Sequence, residues 1–114
     1  MVQSAQGTVL LKRWLFNFGP DMIRVLLEMD QITIAAINGE AMGGGACIVS
    51  ALDFRIGAAD WIVGFSECGL GIPLSWVSLP LCVHLVGSAR AKRWIIKSER
   101  LGSNVLEKWG SSTR

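Results

Sequence analysis

The sequence is poor in the residues that build the commonest reactive and stapled sites. It has one histidine, His84, and three cysteines, Cys47, Cys68 and Cys82, in 114 residues. No Cys-x-x-Cys pair occurs and no zinc-ligand spacing can be drawn through His84, so a structural or catalytic metal centre is not expected. An odd cysteine count leaves one thiol over in any disulfide scheme, which favours free thiols in a reducing compartment. The opening Met1-Val2-Gln3-Ser4-Ala5-Gln6-Gly7 lacks a cationic segment followed by an apolar core, so no secretory signal is read there. Internal repeats and low-complexity runs are also missing. The net charge is only +2. Late cations (Arg90, Lys92, Arg93, Lys97, Arg100, Lys108, Arg114) are not interleaved with an aromatic platform, which argues against nucleic-acid binding and for a solvated cationic face.

Apolar residues are plentiful by contrast: 51% of the chain is hydrophobic and the mean hydropathy is +0.43. So short a chain has too little interior to hide that surface, which is expected to meet further sequence or another subunit. From Cys68 to Ala89 there is no Asp, Glu, Lys or Arg, a length sufficient to cross a bilayer. Gly69, Gly71, Pro73, Pro80, His84 and Gly87 break the run, and their freed backbone groups would need partners in lipid, so stable insertion is not expected.

Along the chain, Thr8 to Phe18 reads as either strand or helix. Gly19-Pro20-Asp21 reads as a turn and helix start, followed by a helix with Met22, Val25, Leu26 and Met29 on one face. Ile32–Ile37 reads as a buried parallel strand. Ala46 to Leu52 is a short helix; Asp53–Gly57 and Trp61–Phe65 are strands. Pro73 to Val86 is helical in part and broken near Pro80. Ser88 to Lys97 is a helix that Ser88 can cap, with Ala91, Trp94 and Ile95 inward. Ser103 to Trp109 is a last helix stopped by Gly110, and residues 111–114 read as a disordered tail. Trp14, Trp61, Trp76, Trp94 and Trp109 are core or interface residues. His84 reads as structural, and Asp53 as a residue that orders backbone between helix and strand.

The chemistry is concentrated in Ile34-Ala35-Ala36-Ile37-Asn38-Gly39-Glu40-Ala41-Met42-Gly43-Gly44-Gly45. A strand and turn lead into three glycines that open a helix. Bare amides at a helix start can hold an anion or a developing oxyanion, and glycine lets a ligand approach them. The alternative is a tight turn serving only close helix–strand packing.

In this order the elements resemble the enoyl-CoA hydratase/isomerase (crotonase) superfamily. The residues from Ile34 to Gly45 match its strand and glycine turn. Asp53-Phe54-Arg55-Ile56-Gly57-Ala58 is similar to its next strand, and Gly71-Ile72-Pro73 and Leu85-Val86-Gly87-Ser88-Ala89-Arg90-Ala91-Lys92 to the landmarks after it. The similarity spans residues 20–110 and leaves 1–19 unassigned. It implies an α/β chain carrying an incomplete crotonase-like (ββα superhelix) core with parallel strands and flanking helices.

The resemblance further implies an acyl-CoA thioester substrate, as in fatty-acid metabolism, with its carbonyl in an oxyanion hole. The amide of Gly44 would be one donor. The other lies on an earlier loop of Ser/Ala-Gly type, of which Ser4-Ala5-Gln6-Gly7 is a faint echo. Hydratases of the family use two glutamates. Glu67 occupies one position, and Cys47 stands at the other, read as a small buried residue and not a nucleophile. One carboxylate suits double-bond isomerisation better than hydration, provided apolar neighbours such as Phe65 and Leu70 raise its pKa. For Glu67 the alternative is a surface carboxylate near a loop.

Met42, Gly43, Gly44, Pro73 and Trp76 are the expected substrate-binding residues. Many relatives have a glycine-rich turn where this chain has Leu74-Ser75-Trp76-Val77-Ser78, so Trp76 is expected to fill part of the acyl pocket. No cofactor is implied beyond the substrate's coenzyme A. A homo-oligomer, trimer or hexamer, and a cytoplasmic or mitochondrial or peroxisomal matrix location are further implications. The competing expectation is a catalytically inactive truncated homologue that binds acyl-CoA weakly or serves only as an oligomer subunit. A small membrane-associated protein built on Cys68 to Ala89 is the remaining one.

Overall fold

A computed structural model describes residues 2–112, with side chains from residue 7 onward. The chain forms α1 (Val2–Leu27), β1 (Ile34–Ile37), β2 (Glu40–Met42), α2 (Gly44–Ala51), β3 (Phe54–Gly57) and β4 (Ile62–Gly64). A 3-10 turn at Cys68–Leu70 precedes α3 (Ser78–Val86), α4 (Ser88–Ile96), β5 (Arg100–Gly102) and α5 (Ser103–Lys108).

Two parallel ladders organise the centre. β1 pairs with β3, placing Ile34 beside Phe54 and Ile37 beside Gly57, and β2 pairs with β4, with Met42 beside Gly64. β5 adds to β4 in antiparallel sense. The two ladders are continuous across the bends, because Ala58 N–H donates to Ile37 O (2.9 Å) and Ile62 N–H to Gly39 O (3.1 Å). At the bottom, Asp53 ties the strands together: its Oδ2 accepts from Thr33 N–H (2.8 Å) and from the Thr33 hydroxyl (2.7 Å). The backbone-ordering role read for Asp53 is thus a clip between β1 and β3. Arg55 caps the end of α2 and the turn after it, donating to Val49 O (3.4 Å), Leu52 O (2.6 Å) and Asp53 O (3.0 Å) as well as to Ser111 O. A helix end without such partners would leave buried acceptors unsatisfied.

The core lies between the β2–β4–β5 sheet and helices α2, α3 and α4. Phe65, Val63, Ala46 and Cys47 are almost fully buried, as are Cys82, Ala91 and Trp94. Phe65 meets Trp94 edge-on at 5.0 Å between ring centroids, and Trp94 meets Trp109 at 6.3 Å. Such contacts add about 0.5–1.5 kcal/mol each to area burial. On α4, Ala91, Trp94 and Ile95 point inward as the helical spacing predicts. Trp14 is exposed, whereas Trp61 is buried.

Several elements depart from the sequence expectations. Gly19-Pro20-Asp21 is not a helix start but lies inside α1, with Pro20 within the helix. Proline removes one helical bond and crowds the carbonyl four residues back. The strong helix formers Leu10, Leu11, Lys12, Arg13 and Leu15 on its N-terminal side keep the helix continuous nonetheless. The inward face of α1 is Gly19, Met22, Ile23 and Leu26, while Val25 and Met29 are exposed. Pro80 does not break α3; it sits in the first turn, where its missing N–H has no intrahelical partner to lose. α4 starts after Gly87 at φ +81°, and Ser88 makes no capping hydrogen bond. β1 alternates between buried and exposed residues and so is buried on one face only. Ser111 is buried, with its hydroxyl donating to Leu106 O, which joins it to the fold and not to a tail. Residues 113–114, the rest of that expected tail, lie outside the described residues. Among the described residues no helix is long and apolar enough to cross a membrane; the uncharged stretch from Cys68 is divided between the 3-10 turn, an irregular loop and α3.

Candidate active site

Adjacent parallel strands deliver the candidate site. β2 ends at Met42 and β4 at Gly64, and Gly43 N–H closes the ladder by donating to Gly64 O at 2.9 Å. Beyond that bond the two chains part: one turns into α2, the other continues through Phe65 and Ser66 to Glu67. The carboxyl ends of parallel strands are where open α/β sheets bind ligands, because diverging loops leave a crevice there.

Gly43 turns the corner with φ +55° and ψ −118°, a conformation that side chains rarely adopt. Gly44 then begins α2, and the first amides of a helix have no acceptor within it. Among the described residues the Gly44 N–H meets no backbone acceptor, whereas Gly43 N–H is already engaged.

Glu67 stands over this corner. A Cβ placed on Gly43 would lie 3.3 Å from Glu67 Oε1 and 3.7 Å from Ser66 Oγ. The other carboxylate oxygen, Oε2, is buried and has no hydrogen-bond partner among the described residues. Buried polar atoms are nearly always paired, so such an orphan calls for a physical account. The apolar enclosure expected for Glu67 is not the one formed: Leu70 is 72% exposed and Phe65 packs into the core against Trp94. The walls are Gly43, Ser66 and the α2 face bearing Cys47. Burial pushes the Cys47 thiol up; a hydrogen bond with Ser78 opposes this, and the nearby Glu67 charge adds to it. Cys47 is therefore a protonated thiol at neutral pH, neither nucleophile nor base. Behind it, burial drives the Cys82 thiol up to about 12.

Trp76 closes the other side of the corner. Its indole lies between two glycines: a Cβ on Gly44 would be 2.8 Å from Cζ3, and one on Gly19 of α1 would be 2.1 Å from Cε2. The structure thus brings Gly43, Gly44, Glu67 and Trp76 together. Met42 lies at the end of β2 and lays its side chain across Gly64, where a Cβ would come 2.9 Å from its Cε. Pro73 is exposed on the loop that precedes α3, and His84 is exposed on α3. Sequence reading did not find Gly19, Ser66 or Val77 for this site. Gly19 is invisible to it because its partner is distant along the chain. The weak echo of a second donor loop at Ser4 to Gly7 falls within helix α1. No group of three or more metal-ligating side chains occurs among the described residues.

The architecture is that of an α/β chain with a glycine corner at the carboxyl ends of parallel strands. The enoyl-CoA hydratase/isomerase family model matches residues 17–112, and the chain belongs to that family. It is 33% identical over 86 residues to a crotonyl-CoA hydratase of Syntrophomonas wolfei, covering 75% of this chain and 33% of that protein. It is 27% identical over 94 residues to an ethylmalonyl-CoA decarboxylase of Danio rerio, covering 82% of this chain and 31% of the relative. The crystal structure of an enoyl-CoA hydratase from Bacillus anthracis superposes with a TM-score of 0.84 at 29% identity, over 90% of this chain and 40% of that one. The fold is accordingly crotonase-like, and the chain spans about a third of the length of the curated relatives it matches.

Proposed function

We propose that this chain carries an acyl-CoA thioester site in which the Gly44 amide receives the thioester oxygen and Glu67 moves a proton. The observation that carries the reading is the pairing of an unengaged amide at the start of α2 with a carboxylate whose buried Oε2 has no partner. A thioester carbonyl gains negative charge when a proton leaves the adjacent carbon. An amide fixed in place, together with the positive end of the α2 dipole, stabilises that charge without reorganisation. A carboxylate beside it is of the type that takes the proton and returns it elsewhere.

With Cys47 at the position of a second acid/base group, the chemistry that fits is a double-bond shift through one carboxylate, or hydration impaired by the lack of the other. The relatives named above include a hydratase and a decarboxylase, so the family alone does not choose the reaction. No group beyond the substrate's own coenzyme A is required. The exposed apolar residues of α1 and of the outer face of β1 and β3, among them Trp14, Phe16, Ile34 and Phe54, support assembly with further polypeptide, in our reading a homo-oligomer such as a trimer or hexamer.

One observation favours a second reading, an inactive homologue that binds acyl-CoA weakly or acts only as a subunit. Gly43 N–H is engaged and the Trp76 indole covers Gly44, leaving one partly covered donor at this corner among the described residues. Titration with acetoacetyl-CoA, an enolate mimic, followed by enoyl-CoA turnover, separates the two. Saturable binding with turnover that Glu67→Gln abolishes while binding persists supports the enzyme. Binding without turnover supports the second reading, and a Glu67→Gln rate equal to that of the unaltered chain sinks the role of Glu67.

A further inference from the structure

The Trp76 indole does more than narrow a pocket. We propose that it is a built-in occupant of the acyl subsite beside Gly44, held there against a strained Val77, so that an acyl group binds in competition with it. The inference rests on the acyl-CoA reading above and adds to it the class of acyl group admitted.

Three observations support it. The ring rests against two backbone surfaces, its pyrrole end against Gly19 on α1 and its benzo end against Gly44 on α2, each so close that a Cβ would overlap it. Two glycines facing one ring form a slot, not a chance contact. Second, the protein surface on this side of Gly44 is the half-buried Trp76 indole, with Gly19 of α1 against the same ring. When a thioester oxygen accepts from Gly44 N–H, its carbonyl carbon carries two substituents, an apolar chain and the sulfur of the polar, charged coenzyme A arm. The charged arm needs open solvent, so the indole side is the one that suits the chain. Third, the residue after Trp76 is in the left-handed region: Val77 has φ +60° and ψ 12°. A β-branched residue there is a true outlier that persists only where its surroundings over-determine it. What over-determines it here is the seat of the neighbouring indole, together with the start of α3, whose first hydroxyl, Ser78 Oγ, donates back to Trp76 O at 3.3 Å.

Strain stored at Val77 opposes the seated indole, and the slot favours it; the difference sets how readily an acyl group displaces the ring. A short acyl group leaves most of the slot to Trp76, whereas a long one must expel it. The site in its native form therefore favours short-chain acyl-CoA. Removing the ring opens the slot to longer chains, at about fourfold in affinity per methylene that becomes buried. Relieving the strain has the opposite effect, because it stabilises only the state in which the ring is seated.

Calorimetric titration of the full chain with acetoacetyl-CoA and with decanoyl-CoA tests this. Trp76→Ala is expected to bind decanoyl-CoA at least tenfold more tightly than the native chain, with a smaller gain for acetoacetyl-CoA. Trp76→Phe, which retains an aromatic filler should the alanine variant fail to fold, is expected to fall between them. Val77→Asn, which tolerates the left-handed region, is expected to weaken decanoyl-CoA about fivefold or more, with a smaller loss for acetoacetyl-CoA. If the native chain binds acyl-CoA but the Trp76 variants keep its chain-length preference, the inference falls and the functional reading stands. Unchanged affinities in Val77→Asn overturn the part assigned to strain. If neither ligand binds the native chain or any variant, the functional reading falls and this inference with it.

Discussion

Gly44→Ala should destabilise the protein, and the same change should stabilise it once Trp76 is removed. The new methyl group would lie 2.8 Å from Trp76 Cζ3 and 3.0 Å from Cη2. The ring is also held at its pyrrole end by Gly19, where a Cβ would meet Cε2 at 2.1 Å, which restricts its retreat. Overpacking of this kind costs about 1–3 kcal/mol. Opposing it, alanine is favoured over glycine in a helix by roughly 0.5–1 kcal/mol. The net expectation for Gly44→Ala is a loss of about 1 kcal/mol. With a urea slope near 2 kcal/mol per molar, the midpoint falls by about 0.5 M. In a Trp76→Ala background the overlap is gone and the helical preference alone remains, so Gly44→Ala should raise stability by up to ~0.5–1 kcal/mol. The coupling energy from the double-mutant cycle is then about 1–3 kcal/mol. Urea unfolding followed by far-ultraviolet circular dichroism measures all four proteins without using tryptophan as the probe. A Gly44→Ala midpoint at or above that of the native chain, or effects that simply add, would refute the reasoning that the indole is seated on Gly44.

Hydrogen bonds from Thr33 N–H and then from its hydroxyl hold the Asp53 carboxyl below its ordinary value of 3.8, so its contribution to stability is complete above that value and lost as pH falls through the lower folded one. The stability gap between the native chain and Asp53→Asn should therefore narrow on acidification below about pH 4, and a gap that widens there would contradict the clip. Cys68 is exposed while Cys47 and Cys82 are buried; a chromogenic disulfide reagent at pH 8 should titrate one thiol at once and the other two only on unfolding, and a second fast thiol would show that the α2–α3 packing is wrong.

What could be read from the sequence was what local pattern encodes. The inward face Ala91, Trp94 and Ile95 follows from helical spacing alone. Asp53 and Gly110 stand where the polar clip and the helix stop fall. β2 and β5 escaped because three residues hold too little alternation to signal a strand, and both are held by ladder bonds to β4. Pro20 misled because a proline marks a helix start more often than an interior, and continuity through it depends on tertiary context that no single residue announces. The same holds for Glu67: its position at the end of β4 was legible, but the expectation that Phe65 and Leu70 would enclose it required knowing which way each side chain turns.

The Trp76 corner shows where such reading stops and why. Its volume was visible in the run Leu74-Ser75-Trp76-Val77-Ser78. The opposing glycine on α1 was not, since α1 meets the loop only after the chain has passed through β1, α2 and β4. Val77 completes the argument. Taken as a residue it is an ordinary apolar position, but at φ +60° it stands where a glycine would be at ease. A chain that places a β-branched residue in a left-handed turn holds strain there unless something compensates. Here the compensation is the indole seated between Gly19 and Gly44, which links the backbone of the loop directly to the donor on which the proposed chemistry depends.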